Sequence, residues 1–201
     1  DPPPLDKLVA DNQWRDMPVL DSVQLMRDRK AGEDPPPTVA DVLGLRNTSP
    51  ADNDKILAAM GQLADEKTAI DNQAEWRRHT SGDVKSTNPL LGSSVAEFDV
   101  SSLTGFGLFG FDWNFVPFGS KDSVVSWKSS ENGLYDLVEM RQDLVWSDGT
   151  PITAHDIEFS FRVIMSSTVP VPAMRSGTDQ LKSVVAYNDN TVAFFHQESL
   201  A

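Results

Sequence analysis

Between Leu144 and Met165 the sequence spells a strand, a reversal and a helix in direct succession. Leu144-Val145-Trp146 is an extended pattern, and Ser147-Asp148-Gly149-Thr150 reads as a tight turn with glycine where a positive φ is needed. Thr153 then caps a helix over 153–166, and Asp156, three residues on, favours the positive helix start. Ile157, Phe161, Ile164 and Met165 follow one face of that helix. Such a helix packs Ile157 and Phe161 back onto the preceding strands, because sheet and helix each have an apolar side to bury.

The strands to receive it are legible on both sides. Ser123–Trp127 and Leu134–Arg141 read as two strands joined through the polar turn Ser129–Gly133. Ser183–Tyr187 and Thr191–Phe195 form a hairpin around Asn188-Asp189-Asn190. Further upstream, Asn88-Pro89 forces an extended or turned backbone. Val95–Leu108 carries Phe98, Val100, Leu103 and Leu108 at positions that suit a helix, although Gly105 and Gly107 weaken one.

Residues 1–73 have another texture. Prolines cluster at Pro2–Pro4 and Pro35–Pro37, and Leu20, Val23, Leu25 and Met26 mark a short amphipathic helix between them. Helix starts read at Thr38-Val39-Ala40-Asp41 and at Ser49-Pro50. Glu75–Thr80 reads as a short strand and Ser81-Gly82-Asp83 as its turn. The expected class is therefore α/β in the mixed α+β sense, with a helical N-terminal extension over 1–73 and a mixed domain over 74–201.

Composition removes several functions. The 201-residue chain has a formal charge of −13, which opposes approach to nucleic-acid backbones and anionic membranes. It has no cysteine, which excludes disulfide frameworks, thiolate metal sites and cysteine nucleophiles. No apolar run approaches the ~20 residues that cross a bilayer as a helix. The chain starts at Asp1 without methionine, so a processed product or a trimmed chain is expected.

Candidate chemistry is sparse. His79, His155 and His196 are far apart, and none forms a short metal-ligand pair. Asp52-Asn53-Asp54 and Asn188-Asp189-Asn190 lack the glycine and distant glutamate of a calcium loop. Gly105–Gly110 lacks the Gly-Lys-Ser/Thr of a phosphate loop. No glycine-flanked serine elbow is present, and nothing nominates a pair of acids for hydrolysis. No catalytic residue, metal or cofactor is expected. The aromatics are more suggestive. The stretch Phe106–Phe118 holds too many rings for all of them to enter one core, and rings line ligand pockets as well as cores.

The segment Asp143–Phe161, with Trp146-Ser147-Asp148-Gly149-Thr150-Pro151 leading into Thr153-Ala154-His155-Asp156, resembles the signature of the family-5 extracellular solute-binding proteins. Trp127 followed by Glu131-Asn132-Gly133, and Asn88-Pro89 upstream, resemble flanking features of that family, and the resemblance runs over about 74–198. It implies an extracytoplasmic receptor, periplasmic or anchored to the membrane through a removed leader. Such a receptor delivers peptides, or related solutes such as nickel complexes, sugars or opines, to an ABC permease. It implies no enzyme activity, no cofactor and no nucleic-acid partner.

Within this resemblance Trp146, Asp148, Gly149, Thr153 and Asp156 brace the fold. The loop after Asn-Pro contributes main-chain contacts to peptide-like ligands in the family, which points to Ser93, Ser94 and Val95. An ordinary loop or helix cap is the competing reading for the two serines. Arg175, in a segment resembling a cleft edge, is a further candidate, for a ligand carboxylate, against a plain solvated arginine. Ligand lies between two lobes in this family, so 74–201 is expected to hold part of the first lobe, with the second lobe absent. The alternatives are an extracellular hydrolase or carbohydrate-active protein, and an interaction module in which 1–70 docks a partner.

Overall fold

Two hairpins build the main sheet. The computed structural model describes residues 2–32, 73, 75 and 82–199. Strands β5 (Val124–Ser130) and β6 (Tyr135–Met140) are joined by a turn in which Gly133 takes φ +68° and Asn132 Oδ1 accepts the Leu134 N–H at 3.0 Å. Strands β7 (Leu181–Ala186) and β8 (Thr191–His196) close through Asn188, whose Oδ1 accepts the N–H groups of Asn190 and Thr191, both at 2.9 Å. An asparagine that bonds backbone two and three residues ahead holds the reversal without help from the rest of the fold.

These strands, with β1 (Trp14–Asp16), form a fully antiparallel five-stranded sheet in the order β1-β5-β6-β8-β7. Alternation along β8 loads both of its faces. Val192 and Phe194 join Trp127, Val138, Met140 and Val184 in one core, against which Ile157 and Phe161 pack. Ala193 and Phe195 point the other way, into a second core with Leu8 of helix α1 (Leu5–Ala10). Burial of one such Val, Leu or Phe stabilises by roughly 1.5–3 kcal/mol. The Tyr187 hydroxyl donates to the Pro3 carbonyl at 2.7 Å and ties the N-terminal end to the sheet.

A smaller sheet has the order β2-β4-β3, from β2 (Val19–Leu20), β4 (Pro117–Ser120) and β3 (Phe109–Phe111). The pair β2–β4 is parallel and β3–β4 antiparallel. Helix α2 spans Ser22–Gly32, and helix α3 (Val95–Thr104) ends at Gly105, which settles the ambiguous 95–108 stretch. Helices α4 (Ala154–Met165) and α5 (Pro172–Ser176) precede β7.

The chain divides into two compact units, Asp1–Ser22 with Thr80–Ala201, and Val23–His79. This corrects the extension drawn over 1–73, because its first 22 residues belong with the main sheet. Trp14 pairs with Ser130 there, and a strand of three residues is too short to carry a readable period. The helix starts at Thr38 and Ser49, together with Pro35–Pro37, Asp52–Asp54, Trp76 and His79, lie outside the described residues. So does the strand read at 75–80, apart from Glu75.

Candidate functional site

The signature segment forms the brace its residues dictate. The Trp146 N–H donates to the Thr150 carbonyl at 2.8 Å, and the Gly149 N–H to the Trp146 carbonyl at 2.9 Å. Gly149 has φ +86°. Asp148 Oδ1 accepts from the Thr150 N–H at 2.9 Å and from its hydroxyl at 2.7 Å. These bonds, the hydroxyl's first, lower the Asp148 pKa and so favour its charged form. At the head of α4, Asp156 Oδ2 accepts the Thr153 N–H at 2.8 Å and the Thr153 hydroxyl at 3.2 Å. Ala154, fully buried, donates its N–H to the Asp189 carbonyl at 2.7 Å, which locks the helix start to the β7–β8 turn.

The loop after Asn88-Pro89 is organised by a residue the sequence reading passed over. Glu97, only 2 % exposed, lies in the first turn of α3. Its Oε2 accepts the N–H groups of Ser93 at 2.8 Å and Ser94 at 3.0 Å, and its Oε1 accepts that of Lys85 at 3.2 Å. Ser94 Oγ in turn accepts the Glu97 N–H at 3.3 Å, which completes a capping box. The Ser93 bond above all, against desolvation and with help from Ser94, holds the Glu97 carboxyl below the usual carboxylate range. The signal was present in the sequence, since Ser94 and Glu97 stand at capping-box spacing. Ser94 is thus a helix cap. Ser93 is exposed, and Val95 is 72 % exposed.

Arg175 does not sit with this loop. Its Nε donates to the Ile164 carbonyl at 3.2 Å, and its Nη2 to the carbonyls of Ser166, at 2.6 Å, and Val169. The guanidinium fastens the last turn of α4 and the segment after it, where a cation also suits the helix dipole. Its Nε and Nη2 are thus engaged by backbone, which gives this arginine a structural role beside the ligand contact expected from the sequence.

Beneath α3 lies a cavity of about 580 Å³ that the sequence did not reveal. Phe106, Phe109, Trp146, Phe161 and Phe194 contribute to its walls. Phe161 and Phe194 meet edge to face with centroids 5.5 Å apart, and Phe109 lies 5.9 Å from Phe194 and 4.8 Å from Trp127. Trp146 therefore serves the turn and the cavity together. Of the ring-rich stretch 106–118, only Phe118 is buried among its aromatics, while Phe111, Trp113 and Phe115 are exposed. The described histidines stay apart, with His155 exposed on α4 and His196 against Asp136 at 2.6 Å.

Residues 122–197 match the family model described as "Bacterial extracellular solute-binding proteins, family 5 Middle". Over 111 residues the chain is 29% identical to the periplasmic oligopeptide-binding protein OppA of Salmonella typhimurium, covering 55% of this chain and 19% of that protein. Two solved structures share the fold. Haemophilus influenzae OppA, in complex with RPPGFSPFR, gives a TM-score of 0.51 at 22% identity over 57% of this chain and 25% of that one. Listeria monocytogenes OppA, bound to peptide, gives 0.52 at 20% identity over 58% and 25%. The chain spans a quarter or less of the length of these relatives. Its mixed α/β fold, with an antiparallel main sheet, is that of a lobe in such proteins.

Proposed function

We propose, from the premise that residues 122–197 are the middle segment of a family 5 extracellular solute-binding protein, that this chain forms part of one lobe of an extracytoplasmic receptor. The receptor captures peptides or a related small solute and hands them to an ABC permease. The family is one of solute-binding proteins and not of enzymes. The observation that carries the reading is the brace from Trp146 to Phe161, in which the turn and capped helix lie on the β5–β6–β8–β7 sheet within the matched residues.

In this reading the solute lies along Leu91–Val95, where Leu91 is 58 % and Val95 72 % exposed. The N–H groups of Ser93 and Ser94 are already held by Glu97, so the loop offers a stiff wall and not loose donors. A wall fixed before the ligand arrives lowers the ordering cost of binding. Glu97 is then a positioning residue. A second lobe supplies the opposing contacts, as in hinge-closing receptors, so this lobe alone holds a peptide weakly.

A thermal-shift screen of the natural gene product against peptides, sugars and opines tests the assignment. A peptide or related solute is expected to raise the melting temperature without turnover. Hydrolysis of any library member, or no shift with any of them, would overturn it.

A further inference from the structure

We infer that the cavity beneath α3 is a binding site for an uncharged, apolar ring compound, separate from the Leu91–Val95 wall. A helix that completes a core turns its large apolar residues inward. Here Val95, Phe98 and Leu103 are 72 %, 55 % and 68 % exposed, while Ser101 lines the cavity and Thr104 stands at its rim. Glu97, Ser101 and Thr104 are four and three residues apart and share one helix face. Small hydroxyl residues occupy the positions where branched side chains would have filled the space, so the void is written into the sequence of the helix. The capping box at Ser94 and Glu97 fixes the helix start without help from apolar packing below it.

The chemistry of the walls selects the ligand. Ile152, Ile157 and Phe161 form the floor with Phe194, and Trp146 stands at the side, 43 % exposed. Three of the polar side chains nearby already have partners. Thr104 Oγ1 donates to the Val100 carbonyl at 3.0 Å, Ser160 Oγ to the Asp156 carbonyl at 2.8 Å, and Asp156 Oδ2 is held by Thr153. An anion would meet Asp156 and no cationic side chain, and a cation would find only Asp156, whose Oδ2 already accepts the Thr153 N–H and hydroxyl. A cavity of about 580 Å³ falls within the ~300–1,000 Å³ range of small-molecule pockets. A dry apolar void of ~150 Å³ already takes benzene, so this one suits a compound of about two or three rings. Interlocked Trp127, Phe109, Phe194 and Phe161 keep its back wall from collapsing. The inference does not depend on the peptide-receptor reading.

The test is a titration of the chain with N-phenyl-1-naphthylamine, an uncharged dye that brightens in apolar surroundings. One saturable site is expected. Ser101→Phe and Gly107→Leu should each weaken it at least about tenfold while raising the melting temperature, since they fill the void. Gly107 leaves room for this, because a Cβ there would meet only the Phe109 carbonyl oxygen, at 4.0 Å. Should Ser101→Phe fail to fold, Gly107→Leu alone decides. Phe98→Ser and Phe115→Ser, which strip exposed rings elsewhere, should leave binding unchanged. Uncharged 1-naphthol should displace the dye and anionic 1-naphthoate should not. Unsaturable binding, loss of binding in the two surface variants, or full binding in a folded Gly107→Leu would overturn the inference.

Discussion

The indole Nε1–H of Trp127 donates to Asp136 Oδ1 at 2.9 Å across the β5–β6 pair, and Asp136 Oδ2 meets His196 Nε2 at 2.6 Å. One carboxylate thereby joins three neighbouring strands at the edge of the core. With the proton on Nε2, the buried Nδ1 of His196, which has no partner among the described residues, keeps a lone pair and avoids an unsatisfied N–H. Burial pushes the Asp136 pKa up, but the bonds from His196 and Trp127 outweigh it and hold it below the usual carboxylate range.

A carboxyl whose pKa is lowered on folding stabilises fully above its unfolded pKa and loses that contribution as pH falls through its folded one. Asp136→Asn should therefore cost about 1.5–3 kcal/mol near pH ~7, the range for a hydrogen bond to a charged group. The gap from the parent should narrow once pH falls well below ~3.9. Urea titrations at a series of pH values measure it. A gap of constant size down to the lowest pH would show that the carboxylate charge is not its source.

Gly149 sits at φ +86° in the Trp146–Thr150 turn, and a Cβ there would meet nothing within 4 Å. The cost of Gly149→Ala is thus conformational, with no clash to relieve, and should be about 1–2 kcal/mol. Gly149→Asn should cost less, since asparagine tolerates the left-handed region. Equilibrium denaturation of the two variants gives the order. Equal losses would place the strain somewhere other than in the backbone angle.

Arg175 collects the carbonyls of Ile164, Ser166 and Val169 with a single guanidinium. A lysine reaches fewer acceptors because its donors leave one nitrogen and not a planar fork. Arg175→Lys should lower stability by about 1–2 kcal/mol, and Arg175→Met by more, since each half-buried carbonyl left unpaired is costly. Solute affinity of the natural protein should hold in Arg175→Lys once the melting temperature is accounted for. A selective loss of affinity would establish this arginine as a ligand contact.

What could be read from the chain follows from how local each cause is. The turn at Asp148-Gly149, the cap pairing Thr153 with Asp156 and the hairpin at Asn188 are decided by residues two or three apart, and they form as the sequence implies. Strand β1 was invisible because its cause is distant, a register that sets Trp14 opposite Ser130. The cavity was invisible for a different reason. The apolar positions up to Leu103 do fall in a helix, 95–104, but periodicity gives a helix its stripe without saying whether the stripe faces in or out. Phe98 and Leu103 face out.

Glu97 gives the sharpest test of how the candidate wall is held. Its two oxygens accept three backbone N–H groups, with Lys85 on one side and Ser93 and Ser94 on the other. An amide at this position has one acceptor and one donor. Glu97→Gln therefore sets an NH2 group against an N–H on one side or the other, whichever way it is flipped. The helix itself should survive, because the Ser94 cap remains. Amide hydrogen exchange at Ser93 and Ser94, or at Lys85, should then speed by about tenfold or more, a factor that follows from losing one charge-assisted bond. The rest of the sheet should keep its protection. In the natural protein the same substitution should weaken solute binding chiefly through a faster off-rate, since a loosened wall still meets the ligand but holds it poorly. Unchanged exchange in all three amides would show that the loop is fixed by something other than this carboxylate, and the positioning role of Glu97 would be lost with it.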